Sequence, residues 1–356
     1  MLKDRILSAQ ALLQRFGVDA LIVENLRNIR YLAGFTGSDG VVVLGGDEGW
    51  FLTDSRYTMQ ASQEVGGFKI IEYRGQMEGV SSLLKDISAQ KVGFEAGHTT
   101  VAFYNELVAA LPAVQFVPVG PELDKLRSVK DTEEVRLLTH CAEIASIALQ
   151  SILDRVRPGA IERDVALALE FAMKAAGAEE KAFDFIVASG ERGALPHGKA
   201  GNKVINSGEL VTIDFGAVYN GYFSDETVTV SVGNPDERQR KIYSIVKDAH
   251  DRALAAVRPG ITFKELDDLA RGYITEQGYG SNFGHGLGHG VGLEVHEQPV
   301  VSFRNEGVVE EGMVFTIEPG IYIPDWGGVR IEDTVLVTAE GCRVLTKVPK
   351  ELQILT

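Results

Sequence analysis

The sequence predicts two domains of different class. Residues 1–124 read as an α/β domain with a mixed sheet and flanking helices, and residues 125–356 as an α+β domain built by internal duplication. Three observations lead there. A chain of 356 residues exceeds what one ordinary core organises. Its first part alternates short β-branched runs with amphipathic stretches, the pattern of a layered α/β unit. Its second part carries one turn–helix and strand–strand pattern twice.

In chain order, Leu2, Ile6, Ala9, Leu13 and Phe16 fall at helical spacing with charges between them. That predicts an amphipathic helix over 3–16 and argues against a secretory signal, whose apolar core is unbroken. The runs DALIVEN, GVVVLGG, GWFLTD, FKIIEY, KVGFEA and VQFVPV read as strands. Helical patterns near 55–65, 77–88 and 100–110 lie among them, with Asp54 of TDSRY placed to cap the first. A long helix then begins at Asp131 or Thr132, carries Glu133 and Glu134 in its first turn, and stops at Arg157-Pro158-Gly159. The domain boundary is expected just before it, near Asp124.

Composition narrows the function. Hydrophobic residues make up 45% and charged residues 24%, ordinary for a soluble globular protein. The net charge of −15 disfavours a nucleic-acid surface, which needs clustered Lys and Arg. No apolar run is long enough to span a membrane. Cys141 and Cys342 are the only cysteines and read as reduced thiols of a cytoplasmic protein.

The duplication locates the chemistry. VRPGAIERDVALALEFAMKAAGA from Val156 is matched by VRPGITFKELDDLARGYITEQGYG from Val257. GELVTIDFGAVYNGYFSDETVTV from Gly208 is matched by GMVFTIEPGIYIPDWGGVRIEDTVLV from Gly312. Gly208 aligns with Gly312, Asp214 with Glu318, Asp225 with Glu332, and Thr227 with Thr334, which predicts two halves about a pseudo-two-fold axis. Side chains alternate along a strand. Asp214 therefore shares a face with Thr212, Glu318 with Thr316, Asp225 with Thr227, and Glu332 with Thr334.

Four carboxylates then converge if the halves face each other, and a cluster of like charges in apolar strands requires cations. The Gly-rich stretch NFGHGLGHGVGLEVHEQP brings His285, His289 and His296 nearby. Carboxylates plus imidazole form an oxygen-rich site for two divalent ions such as Mn, Co, Zn or Fe. Glu226 and Asp333 point to the opposite face and read as ordinary strand carboxylates. Glu294 and Glu297 flank His296 as surface or supporting groups. His98, His140 and His250 lie outside the cluster.

ALPHGKAGN, TIDFGAVYNGYFSD, GHGLGHGVGLEVHE, TIEPGIYIP and GGVRIEDT together resemble the pita-bread metallopeptidases, in the Xaa-Pro dipeptidase (prolidase) and aminopeptidase P branch. NIRYLAGFTGSDGVVVL and FLTDSRYTMQA are similar to the creatinase/prolidase N-terminal domain, so the resemblance spans essentially the whole chain. It implies a dinuclear metal hydrolase that cleaves the bond before proline in short peptides. Asp214 would chelate one ion, Asp225 and Glu332 would bridge both, and His289 and Glu318 would complete the other. Glu318 also matches a proton shuttle, and His197 and His296 match histidines that contact the substrate carbonyl. His285 and Arg330 match pocket residues, Arg330 as a partner for a dipeptide's carboxylate.

The resemblance further implies a homodimer, in which Asp54, Arg56 and Tyr57 could reach a partner's site. One departure is SDETVTV, where relatives often read SD-x-TRT: Val228 stands for the Arg, which puts an ion pair near the ligands in doubt. A metal-free creatinase-like C–N hydrolase and a non-catalytic peptide-binding homologue are the rivals, and both would be marked by lost ligands. A methionine aminopeptidase is disfavoured by the full N-terminal domain. Dipeptides and longer peptides both remain open as substrates.

Overall fold

A computed structural model describes residues 2–356, and the chain divides into two compact units, one ending at Arg127 and one running from Ser128 to Thr356. The N-terminal unit runs α1 (Leu2–Phe16), β1 (Ala20–Val23), α2 (Leu26–Ala33), β2 (Val41–Leu44), β3 (Gly49–Thr53), α3 (Thr58–Glu64), β4 (Lys69–Glu72), α4 (Gln76–Asp86), β5 (Lys91–Glu95), α5 (Val101–Ala110), β6 (Gln115–Val119) and α6 (Glu122–Lys125). Its strands form one sheet in the order β4-β3-β2-β1-β5-β6. β1 pairs antiparallel with β2 and parallel with β5, so the sheet is mixed. Both β1 and β2 are buried along their length, which is why ALIV and VVVL are unbroken apolar runs. Ile22, Val43, Leu52 and Leu84 pack in the core beneath.

Two local features differ from the sequence reading. α2 has no counterpart in the predicted helices. It is eight residues long, too short for periodicity to stand out, and is held at its ends: the Asn25 side chain accepts from Arg27 N–H, and Gly34 closes it at φ 80°. Asp54 does not cap α3, whose cap is Tyr57. The Asp54 carboxylate instead accepts from the Arg56 backbone N–H and pairs with the Arg56 guanidinium at 2.6 Å.

The second unit begins with α7 (Thr132–Ile152) and α8 (Glu162–Ala175), then β7 (Glu180–Lys181), β8 (Ile186–Ser189), β9 (Glu209–Phe215), β10 (Ala217–Tyr219), β11 (Tyr222–Phe223) and β12 (Glu226–Val232). It continues with α9 (Glu237–Ala256), α10 (Phe263–Glu276), β13 (Gly288–Gly290), β14 (Glu297–Val301), β15 (Val314–Ile317), β16 (Gly320–Ile323), β17 (Gly327–Arg330), β18 (Asp333–Val337), β19 (Cys342–Val344) and β20 (Ile354–Leu355).

The duplication is visible throughout. The strand order β12-β9-β8 of one sheet recurs as β18-β15-β13 in another. The isolated bridge between Ile161 and Val204 recurs between Thr262 and Val308. Gly208 and Gly312 take φ +85° and +86° at the entrances to β9 and β15. α7 and α9 each start at an Asp in a capping box, Asp131 with Glu134 and Asp236 with Gln239, worth about 1 kcal/mol per cap. Each half closes on its own apolar core, one around Leu149, Leu169 and Phe215 and one around Val246, Leu266 and Phe315. This is the α+β pita-bread architecture.

The halves differ in register. Thr227 faces Asp214 across β12 and β9, but Thr334 faces Thr316 rather than Glu318 across β18 and β15. Glu318 lies just past the end of β15, before Pro319, which has no N–H to extend the ladder. Asp225 and Glu332 likewise sit one residue before β12 and β18.

Candidate metal centre

All nine residues singled out in the sequence line one cavity of about 470 Å³ in the second unit: His197, Asp214, Asp225, His285, His289, His296, Glu318, Arg330 and Glu332. His289 comes from β13, which runs between β14 and β15. Its neighbours Gly288 and Gly290 must be glycine, because a Cβ would strike the Thr316 carbonyl at one and the Gln298 carbonyl at the other. The Gly-His-Gly pattern is thus a backbone-packing requirement that leaves only the imidazole to project.

The His289 tautomer is fixed. Nδ1 lies 3.1 Å from the Gly290 carbonyl, which can only accept, so Nδ1 carries the proton. Burial first, then the neighbouring His296, depresses the His289 pKa to about 3, so the ring is neutral and Nε2 presents a lone pair. That lone pair faces Asp225 Oδ2 at 3.5 Å and Glu318 Oε1 at 3.4 Å. One ligand atom each of Asp225, His289 and Glu332 lies within 4.8 Å of the others. Once the carboxyls give up their protons, all three groups offer only lone pairs, a donor set that fits a cation. Buried Asp225 Oδ1 and Asp214 Oδ1 also have no hydrogen-bond partner.

The remaining carboxylates carry the strain of this convergence. Burial, then repulsion from Glu332, Asp214 and Glu318, pushes the Asp225 pKa well above the carboxylate range. Glu332 is raised by burial and by Glu318 and Asp214, while Thr227 Oγ donates to its Oε2 at 2.6 Å. Glu318 is pushed up to about 8, by burial above all and then by Asp214, against the pull of Arg330. Thr227 and Thr316, whose hydroxyls reach Glu332 and Glu318, are supporting residues on the faces the strand alternation picked out.

Arg330 is buried and strongly engaged. Its Nη2 donates to Asp214 Oδ2 at 2.6 Å, its Nη1 to the Tyr322 hydroxyl at 2.9 Å and the Pro196 carbonyl at 3.1 Å, and its Nε to Thr227 Oγ at 3.2 Å. Of the five N–H of a guanidinium, one on Nη2 is left over. The structure therefore gives Arg330 a first task inside the protein, neutralising Asp214. His285 completes the wall. Its Nδ1 donates to the Gly286 carbonyl at 2.8 Å, so Nε2 accepts from the Tyr322 hydroxyl at 2.9 Å, and burial lowers its pKa to about 4. The His296 ring stands 4.2 Å from that of His289, and burial lowers its pKa as well.

Three expectations for neighbouring residues are corrected. Glu226 and Asp333 do point away from the cavity, but they are 1% and 5% exposed and not ordinary strand carboxylates. Lys350 Nζ lies 2.6 Å from Glu226 and 3.3 Å from Asp333, and His250 Nε2 lies 3.2 Å from Asp333. Glu297 is buried against Lys130 at 2.8 Å. Val228 packs in the apolar core of the first half, so no cation comes from β12 itself. Periodicity could not find Lys350 or His250. The available signal was that two acids following ligand positions on buried strands need a counter-charge.

Comparisons with known proteins agree with this class of site. Residues 136–339 match metallopeptidase family M24, and residues 5–129 match the creatinase/prolidase N-terminal domain. The chain is 40% identical over 353 residues to an Xaa-Pro dipeptidase of Pyrococcus furiosus, covering 99% of this chain and 100% of that one. Among solved structures, an Xaa-Pro dipeptidase from Bacillus anthracis superposes with a TM-score of 0.97 at 44% identity, covering 100% of both chains. An X-Pro aminopeptidase from Thermotoga maritima superposes with a TM-score of 0.89 at 39% identity, covering 96% of this chain and 99% of that one. A buried carboxylate–histidine cluster on a duplicated α+β fold defines a metal-dependent hydrolase. The chain belongs to metallopeptidase family M24, which implies divalent metal ions. Among the described residues, no helix is long and apolar enough to cross a membrane.

Proposed function

We propose that the protein is an Xaa-Pro dipeptidase in which Asp214, Asp225, His289, Glu318 and Glu332 would hold two divalent metal ions. The observation that carries this reading is the convergence of the His289 Nε2 lone pair with the Asp225 and Glu318 carboxyl groups at 3.5 and 3.4 Å. Bound there, the ions would polarise the scissile carbonyl and lower the pKa of a nucleophilic water. Glu318, whose carboxylate lines the cavity, would then accept the water's proton and pass it to the departing proline nitrogen. His296 is neutral at pH 7 and so can donate one ring N–H to the developing oxyanion, with His197 beside it on the cavity wall.

Proline specificity follows from what the walls offer. The bond before proline is a tertiary amide with no N–H, so a cleft that relies on pairing that N–H gains nothing. Phe183, Ile186, Pro196 and Val300 supply apolar surface for the pyrrolidine ring. The leftover Nη2 proton of Arg330 is the candidate partner for a dipeptide's carboxylate. A second reading, an Xaa-Pro aminopeptidase acting on longer peptides, is favoured by the commitment of Arg330 to Asp214. The free thiols Cys141 and Cys342 support a cytoplasmic location. The homodimer rests on the family resemblance, and the boundary near Asp124 on the long helix α7 that follows it.

The test is kcat/KM for Ala-Pro, Ala-Ala and a longer peptide beginning Ala-Pro, under one metal condition. We expect Ala-Pro to exceed Ala-Ala by at least about 100-fold, the discrimination expected when a site is built for one amide type. Equal rates for Ala-Pro and Ala-Ala would overturn the prolyl assignment. Cleavage of the longer peptide alone would establish the aminopeptidase reading.

A further inference from the structure

The two bridging positions sit on a seam between sheets. β12 and β18 belong to different sheets, and between them the Glu332 backbone N–H donates to the Thr227 carbonyl at 3.1 Å. Side chains add Thr334 Oγ to the Asp225 carbonyl at 2.8 Å, Thr229 Oγ to the Arg330 carbonyl at 2.9 Å, the Arg330 N–H to Thr229 Oγ at 3.2 Å, Thr227 Oγ to Glu332 Oε2 at 2.6 Å and Arg330 Nε to Thr227 Oγ at 3.2 Å. Across this seam the cavity face presents Asp225 and Glu332. One residue further along, the opposite face presents Glu226 and Asp333, which occupy equivalent positions in the two halves. Both faces therefore place two buried acids against each other.

On the far face the counter-charge is built into the chain. Lys350 Nζ sits between Glu226 Oε1 at 2.6 Å and Asp333 Oδ1 at 3.3 Å, with its own side chain 6% exposed. The lysine is anchored by its backbone, whose carbonyl accepts from the Tyr243 hydroxyl at 2.8 Å. Both carboxylates are fixed from other directions too. Ser146 Oγ donates to Glu226 Oε2 at 3.0 Å and Val348 N–H to Glu226 Oε1 at 2.9 Å, while Thr346 Oγ donates to Asp333 Oδ1 and His250 stands on Asp333 Oδ2. The segment 346–350 thus clamps both halves at once, and its cation lies where the pseudo-symmetry calls for one.

We propose that Lys350 is a positioning residue for metal binding: by clasping Glu226 to Asp333 across the seam, it sets the spacing of Asp225 and Glu332 on the cavity face. The inference rests on the metal site proposed above. Without the ammonium, Glu226 and Asp333 lose the one cation that they share, and only His250 among basic side chains still faces Asp333. Repulsion then widens the seam, and the bridging carboxylates move apart with it. The clasp preorganises the acidic pair, so that binding an ion does not have to draw the two halves together.

The test uses full-length protein stripped with chelator, then titrated calorimetrically with Mn²⁺ and examined by visible absorption after loading with Co²⁺. Lys350→Met should weaken Mn²⁺ binding at least tenfold and alter the cobalt d–d bands, and Lys350→Arg, which restores the cation, should recover affinity to within about threefold. If Lys350→Met does not fold, Lys350→Gln, which keeps a polar group in place without the charge, carries the same expectation. A lower melting temperature with unchanged Mn²⁺ affinity and cobalt spectrum would make Lys350 purely structural and overturn the inference. Failure of the wild-type protein to bind Mn²⁺ or Co²⁺ would instead overturn the proposed metal site.

Discussion

Replacing Glu318 by Gln should stabilise the metal-free protein at high pH. The Glu318 carboxyl holds its proton up to about pH 8 in the fold, against an ordinary value of 4.5. The folded state therefore binds this proton more tightly than the unfolded chain. Its stabilising contribution is complete below 4.5, declines as pH rises, and is gone above about 8. At about 1.4 kcal/mol per pH unit, the whole interval corresponds to a ceiling of about 5 kcal/mol. The Glu318 side chain keeps 18% of its surface open to the cavity, and water there screens the charge, so about 2 kcal/mol is the expected effect.

The assay is urea unfolding of chelator-stripped protein at about pH 5, 7 and 9, with midpoint and slope fitted at each. Wild type should lose stability across this range, more steeply because Asp225 and Glu332 are raised in the same direction. Glu318→Gln should match wild type near pH 5 and exceed it near pH 9. With Mn²⁺ present the order should reverse, since the variant lacks a ligand. A constant difference between the two proteins at every pH, without metal, would refute the reasoning.

Two further outcomes follow from the same geometry. His197→Ala and His296→Ala should each lower kcat for Ala-Pro by at least about 100-fold with a smaller change in KM and with metal retained, the pattern of a transition-state contact. Loss of metal in either variant would make that residue a ligand. Arg330→Met should destabilise the protein by about 3–5 kcal/mol, because it strands the buried Asp214 carboxylate without its partner. A melting temperature equal to wild type would contradict the role assigned to that pair.

Much of this architecture was legible in the chain. β1 and β2 are the four-residue apolar cores of DALIVEN and GVVVLGG. The duplicated halves follow from matched acids and glycines, because an ionisable residue inside an apolar strand is rare enough that its repetition carries information. The cavity could be assembled for the same reason: strand alternation assigns Asp214 to a face without reference to any partner. What stayed hidden depends on contacts distant in sequence. Lys350 reaches Glu226 across 124 positions and Lys130 reaches Glu297 across 167, and no local pattern encodes either pairing. Glu226 and Asp333 are buried although alternation gives them ordinary outward positions, because alternation tells which way a side chain points, not whether water or a helix lies there. Arg330 could be placed in the pocket, but only three dimensions show its fork turned onto Asp214. α2 escaped because eight residues between an Asn and a Gly give the helical period little room.

The most direct test of the account is anomalous diffraction from crystals of the protein grown with Mn²⁺. Two anomalous peaks are expected roughly 3.5–4 Å apart in the cavity, both contacted by Asp225 and Glu332, one also by Asp214 and the other by His289 and Glu318. A single peak, or peaks away from the His289 Nε2 lone pair, would contradict it.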